Sequence, residues 1–146
     1  MMKSNRNKQF YIAKNIMDSV FIKNQPIDYD KWVDFIERNN EDFIWRENTE
    51  DGKKSLSNIN NVPDDFKDRV LASLNKVCCF KEFDNKKDAY NVSISFSKDN
   101  NWISIQFIRT PKLVDLKVFL AMAKHLDAFL LKNGREIIDE RVIEGL

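Results

Sequence analysis

Residues 89–107, AYNVSISFSKDNNWISIQF, contain two runs that alternate between apolar and polar residues on either side of a polar turn, KDNN. The first run places on one face Tyr90, Val92, Ile94 and Phe96. The second run places Trp102 on one face and Ile103, Ile105 and Phe107 on the other. A period of two is typical of strands with one buried face. The stretch therefore predicts an antiparallel hairpin that turns one face toward a core.

The segment after this hairpin predicts a long helix. Pro111 suits a helix start, and residues 112–132 carry leucines and alanines at steps of three and four. Asn133-Gly134 is typical of a helix end, and residues 135–143, REIIDERVI, could add a short strand. We expect the hairpin to pack on this helix and to bury Val92, Ile94, Phe96, Leu116, Leu120 and Ala123.

Two more helices are indicated earlier in the chain. Residues 28–38 have Asp28 as a candidate cap and an apolar face with Tyr29, Trp32, Val33 and Ile36. Residues 64–77 follow Pro63 and place on one side Phe66, Val70, Leu71, Leu74 and Val77. Residues 9–23 fit both a helix and a strand, and their apolar spacing favours a helix.

A second hairpin is indicated in the middle of the first half. Residues 42–47, DFIWRE, look like a strand, Asp51-Gly52 is a hairpin-turn signal, and residues 53–59, KKSLSNI, could return as a strand. Helices and antiparallel strands are mixed, and no segment looks like a linker. We therefore predict one α+β domain over residues 1–146, with a mostly antiparallel sheet packed against helices that include a long one near the C-terminus.

Composition limits the function. The 146 residues contain only three Gly, which excludes long glycine-rich phosphate loops, and the net charge of +1 gives no field that would attract nucleic acid or a membrane. The basic N-terminus lacks the apolar run of a signal peptide, and no stretch is apolar enough to span a bilayer. The two cysteines are adjacent, which suggests a reducing compartment. These features predict a cytoplasmic protein.

Catalytic chemistry finds little support. His125 is the only histidine and has no local motif, and Cys78 and Cys79 have apolar neighbours that indicate burial. One histidine and two adjacent cysteines do not supply a zinc site. We predict no catalytic residue, no metal, no cofactor and no enzymatic activity, so that replacing His125 or both cysteines should leave the function intact.

One charge pattern points to a protein partner. Residues 28–51 contain nine acids and three bases, a local net charge of −6, whereas residues 1–25 carry +4. Acidic residues speed association with a basic partner, and aromatic residues supply affinity. We predict that the partner-binding residues are Glu47, Glu50 and Asp51 near the proposed turn, together with Trp45 if it is exposed. The alternative is a solvated acidic surface with both tryptophans in the core.

The last part of the chain resembles small bacterial immunity proteins. Residues 102–139, WISIQFIRTPKLVDLKVFLAMAKHLDAFLLKNGREIID, join a strand, a Pro-led helix with Ala121 and Ala123 at its centre, an Asn-Gly stop and a short strand. The resemblance implies a cytoplasmic inhibitor that covers a toxin domain of an interbacterial competition system, without catalysis. Two alternatives remain, a small enzyme or ligand-binding domain with a pocket, and a regulatory adaptor.

Overall fold

A computed structural model describes residues 9–16 and 24–145, and within these ranges the chain forms a single α+β domain with one seven-stranded sheet and five α-helices. The strands are β1 Gln9–Ala13, β2 Ile44–Trp45, β3 Cys78–Asp84, β4 Ala89–Ser97, β5 Trp102–Phe107, β6 Phe129–Lys132 and β7 Glu136–Ile138. The helices are α1 Tyr29–Arg38, α2 Glu50–Ser57, α3 Asp64–Ser73, α4 Leu113–His125 and α5 Glu140–Glu144. None of these helices is both long and apolar enough to cross a membrane.

The central hairpin is confirmed. Strands β4 and β5 pair antiparallel, from Val92 opposite Phe107 to Ser97 opposite Trp102. The buried apolar side chains are Val92, Ile94 and Phe96 of β4 and Ile103 and Ile105 of β5, whereas Tyr90 and Phe107 are only half-buried. The sheet order is β2-β3-β4-β5-β1-β6-β7, and every neighbouring pair is antiparallel.

The helix favoured for residues 9–23 is wrong where the structure describes it. Residues 9–13 form strand β1, which lies between β5 and β6, and Phe10 and Ile12 are buried. This strand is formed by pairing with segments about a hundred residues away, so local spacing could not show it. Residues 17–23 of the predicted helix lie outside the described residues.

The helix predicted at residues 28–38 is confirmed as α1. The side chain of Asp28 caps it by accepting a hydrogen bond from the backbone N–H of Lys31 at 3.2 Å. Trp32 and Ile36 are buried on the face toward the sheet, where Trp32 contacts Phe96 of β4. Helix α4 packs on the same side of the sheet, where Phe119 contacts Phe107.

The long helix predicted over residues 112–132 is wrong in length. Helix α4 has 13 residues and ends at His125, and Asp127 then turns the chain with φ 53°. Residues 129–132 become β6 because they pair with β1. The Asn133-Gly134 pair is the turn of the β6–β7 hairpin, with φ 56° and 80°. Leu116 and Ala123 are buried as expected, and Leu120 is half-buried against the core.

The hairpin predicted over residues 42–59 is also wrong. Only Ile44 and Trp45 form a strand, and residues 50–57 form helix α2 after a 3₁₀ turn at Arg46–Asn48. Thr49 caps α2 by accepting from the backbone N–H of Gly52 at 3.0 Å. Gly52 is required here because its backbone lies against the Arg46 carbonyl, which leaves no room for a Cβ atom.

Helix α3 confirms the start predicted after Pro63, but most of its apolar side chains are not in the core. Phe66 and Leu71 are exposed at 51% and 40%, and Leu74, just beyond the helix, is buried.

Candidate functional site

Much of the acidic segment 28–51 is used to build the fold. Asp28 caps α1, Asp34 pairs with Arg38 at 3.0 Å, and Glu37 pairs with the ammonium group of Lys76 at 2.7 Å. The hydrogen bond from Lys76 holds the pKa of Glu37 below its usual value. The acidic character of this segment is therefore only partly available to a partner.

Trp45 does not meet the condition of exposure that we set for an aromatic anchor. Its side chain is 7% exposed and packs edge-on against Trp32, with ring centroids 5.4 Å apart. Part of it lines a shallow cleft of about 440 Å³ beside the end of α1. Trp45 belongs to the core because β2 directs it to the helical side of the sheet, opposite Cys79.

Glu47 has a structural contact within the chain. Its Oε2 atom accepts a hydrogen bond at 2.7 Å from the backbone N–H of Lys76, a residue in the left-handed conformation with φ 53°. The hydroxyl of Tyr29 donates to the carbonyl of the same Lys76 at 2.9 Å. Glu47 thus helps to fix the turn that leads into β3.

Glu50 and Asp51 are exposed at the start of α2, where they line an open cleft that we call the aromatic cleft. Its volume is about 440 Å³. One wall comes from the 3₁₀ turn and α2 and consists of Arg46, Thr49, Glu50, Asp51 and Lys54. Thr49 is buried and, by capping α2, fixes the position of the two acids beside it.

The opposite wall of the aromatic cleft comes from β3, β4 and the turn between them, and consists of Phe80, Phe83, Asp88, Ala89 and Tyr90. Tyr90 stacks on Phe80 with centroids 5.4 Å apart, and Phe83 meets Tyr90 edge-on at 5.1 Å. Phe83 is 46% exposed. An exposed aromatic beside carboxylates suits contact with cationic and aromatic groups.

Among the described residues, no side chain neutralises the charges of the aromatic cleft. Across residues 9–16 and 24–145, no ion pair involves any of its five charged side chains, which are Arg46, Glu50, Asp51, Lys54 and Asp88. The three acids and two bases are thus free to meet a ligand of mixed charge. Such a surface favours a partner with a matching charge pattern.

An ion-pair network lies on the helical side of the sheet, opposite to the side that carries the aromatic wall of the cleft. Arg109 donates to both carboxylate oxygens of Glu82 at 2.5 and 2.7 Å and to both oxygens of Asp115 at 2.7 and 3.1 Å. The Arg109 hydrogen bonds lower the pKa of Glu82 to about 2. Burial raises the pKa of Asp115, but hydrogen bonds from Arg109 and the Lys112 backbone outweigh it and lower the pKa overall.

The histidine and the cysteines do not form a nucleophile site among the described residues. His125 Nε2 lies 3.7 Å from Asp34, and neither thiol is hydrogen bonded to His125. Cys78 Sγ lies 3.2 Å from the Ser95 hydroxyl, and Cys79 is fully buried. Burial raises the pKa of the Cys79 thiol well above its usual value, which makes it a poor nucleophile.

Sequence reasoning placed Glu50 and Asp51 at one surface but missed the aromatic wall. Phe80 and Phe83 are three residues apart, so a regular strand would put them on opposite faces. Tyr90 was expected on the core face with Val92, yet it stacks on Phe80. Comparisons of the chain with protein-family models, with curated proteins and with solved structures found no match.

Proposed function

We propose that the protein is a cytoplasmic, non-catalytic inhibitor of the immunity-protein kind, which neutralises a cognate bacterial toxin by binding it directly. The observation that carries the proposal is the aromatic cleft, where Glu50 and Asp51 lie across from a wall that contains Asp88 and the exposed ring of Phe83. None of these three acids forms an ion pair with any described residue. The resemblance of residues 102–139 to immunity proteins supports the same function only through β5, α4 and β7, because Asn133-Gly134 forms a hairpin turn and does not end the helix. Interfaces commonly combine a partly buried aromatic anchor with a charged rim.

The proposed partner surface has a defined charge pattern. Basic side chains of the toxin lie against Glu50, Asp51 and Asp88, and an acidic side chain lies near Arg46 and Lys54. A mixed pattern discriminates between partners because a wrong partner juxtaposes like charges. Glu47 is not part of this surface, since its carboxylate already binds the Lys76 backbone.

The test begins with a search of the neighbouring genes for one that encodes a large toxin, and uses the product of that gene. We expect a one-to-one complex in size-exclusion chromatography with light scattering, and rescue of growth when the two proteins are co-expressed. The double variant Glu50→Lys/Asp51→Lys should slow association about tenfold or more at low salt, and less at high salt, because salt screens exposed charges.

The matched control is Asp64→Lys/Asp65→Lys. These two acids are also exposed in the first turn of a helix, so the change in net charge is the same and the helix-dipole interaction is reversed in both variants. The control also breaks an exposed ion pair between Asp64 and Lys67, which contributes little to stability. The control should bind like the wild type. If both double variants slow association equally, the interface lies elsewhere, and if no toxin binds, the proposed function is wrong.

A second candidate is a ligand-binding domain or small enzyme. The volume of the aromatic cleft lies within the range of about 300–1,000 Å³ that small-molecule sites occupy. A small molecule that raises the unfolding temperature of the wild type but not of Tyr90→Ala would favour this candidate over the inhibitor.

A further inference from the structure

Strand β3 contains a backbone irregularity at Glu82. Its φ is 63°, in the left-handed region, which is unfavourable for an L-residue. The ladder between β3 and β4 pairs Lys81 with Val92 and Phe83 with Tyr90, but the pair between them is missing. A conformation of this kind persists only where surrounding contacts enforce it.

At this irregularity, successive side chains of β3 and β4 no longer alternate between the two sides of the sheet. Lys81 and Glu82 follow each other, yet both reach toward the helical side, where Lys81 lies 4.0 Å from Asp115 and Glu82 pairs with Arg109. On the facing strand, Asn91 and Val92 are consecutive and both buried.

Because two successive side chains on each strand point to the helical side, the next residue toward the β3–β4 turn, Phe83 on β3 and Tyr90 on β4, points to the opposite side. Phe83 and Tyr90 therefore join Phe80 instead of continuing the core face. The ring of Tyr90 contacts both phenylalanines, with centroid distances of 5.4 Å to Phe80 and 5.1 Å to Phe83. The aromatic wall of the cleft depends on this reversal.

Contacts on the helical side hold Glu82 in place. Arg109 binds its carboxylate through two nitrogen atoms, and the side-chain amide of Asn91 donates to the same carboxylate at 2.6 Å. Arg109 is itself fixed by Asp115 of α4, which is 1% exposed and also accepts from the Lys112 backbone at 2.7 Å. A bidentate guanidinium fixes the orientation of its partner as well as its distance.

We propose that Glu82 and Arg109 are positioning residues for the aromatic cleft. Their ion pair, made on the helical side of the sheet, holds β3 in the conformation that brings Phe83 and Tyr90 to the opposite side. The importance of this role for binding rests on the function proposed above, but the geometry of the cleft can be measured without any partner.

The experiment uses the full chain labelled with 3-fluorotyrosine and ¹⁹F NMR. The chain has three tyrosines, and the Tyr90 signal is assigned from its absence in Tyr90→Phe. In Glu82→Ala the side-chain anchor is lost and the left-handed conformation is unfavourable. We expect the Tyr90 signal to move toward its position in the unfolded protein, while the Tyr11 and Tyr29 signals stay in place.

The decisive comparison is Glu82→Gly, which also lacks the carboxylate but adopts positive φ without strain. It should keep the Tyr90 signal closer to the wild-type position than Glu82→Ala does. Leu120→Ala, on α4, controls for general loosening and should leave the Tyr90 signal unchanged.

Three outcomes would overturn the proposal: an unmoved Tyr90 signal in Glu82→Ala, an equal displacement in Glu82→Gly, or an equal displacement in Leu120→Ala. The function proposed above can fail independently. In that case the three signals behave as expected, but the toxin does not bind the wild type.

Discussion

Replacing Gly52 by alanine should destabilise the protein, although the same change in an ordinary helix stabilises it. A Cβ atom on Gly52 would lie 1.8 Å from the Arg46 carbonyl oxygen and 2.7 Å from its carbon. Ordinary contact is about 3.5 Å, so the two segments must separate by roughly 1.7 Å. Both contacted atoms belong to the backbone, so no side-chain rotation relieves the overlap.

The loss of stability in Gly52→Ala can be estimated from the hydrogen bonds that this separation breaks. The Arg46 carbonyl accepts hydrogen bonds from the Thr49 hydroxyl at 2.6 Å and the Thr49 backbone at 3.1 Å. Losing two bonds costs about 2 kcal/mol, and overpacking adds about 1–3 kcal/mol. The higher helix propensity of alanine stabilises the folded state by about 1 kcal/mol and offsets part of this loss. We therefore expect Gly52→Ala to lower the free energy of unfolding by about 2–4 kcal/mol.

The assay is urea unfolding followed by tryptophan fluorescence, to which the buried Trp32–Trp45 pair contributes. At a slope of about 2 kcal/mol per molar urea, the midpoint should fall by about 1–2 M. Gly145→Ala is the matched control, because a Cβ there would lie 3.5 Å from the nearest atom, in ordinary contact. A Gly52→Ala variant as stable as wild type would refute the reasoning.

Three further predictions concern the core, the ion-pair network and the thiols. Leu120→Ala should lower the free energy of unfolding by roughly 1–2 kcal/mol. This is less than a fully buried leucine usually loses, because Leu120 is only half-buried. A urea midpoint equal to that of the wild type would contradict this prediction. The pKa of Glu82 in the folded protein is lowered to about 2, so its ion pair should stabilise the fold fully above about pH 5. This stabilisation should be lost as the pH falls toward 2. The difference in urea midpoint between wild type and Glu82→Gln should therefore shrink between pH 7 and pH 3. An unchanged difference would show that the ion pair does not stabilise the fold. Cys79 should react with a thiol reagent at neutral pH only after unfolding, as shown by mass mapping with and without urea, and its modification in the native protein would contradict its burial.

Part of the candidate site could be predicted from the sequence. The excess of acids in residues 28–51 directed attention to Glu50 and Asp51, which are exposed at one wall of the cleft, and their role in binding stays a prediction. The partners of the other acids could not be predicted, because Lys76 is distant in sequence and meets Glu37 and Glu47 only after the chain returns to β3.

The helices and strands also divide into those that could be predicted from the sequence and those that could not. The β4–β5 hairpin and α1 were predictable because each is encoded within about twenty residues, by alternation in one case and by a cap and an apolar face in the other. Asp51-Gly52 and Asn133-Gly134 were misread because glycine serves different needs. Gly134 permits positive φ in a hairpin, whereas Gly52 permits close approach of two backbone segments.

The sequence by itself determined the central hairpin, the capped helix α1 and the single α+β domain, because side-chain periodicity and local hydrogen bonding act over short distances along the chain. Only the tertiary structure decided that residues 9–13 and 129–132 are strands, since each is stabilised by pairing with distant segments. It also decided which side of the sheet carries Phe83 and Tyr90. That choice depends on the conformation of Glu82, which is held by Arg109, a residue 27 positions away.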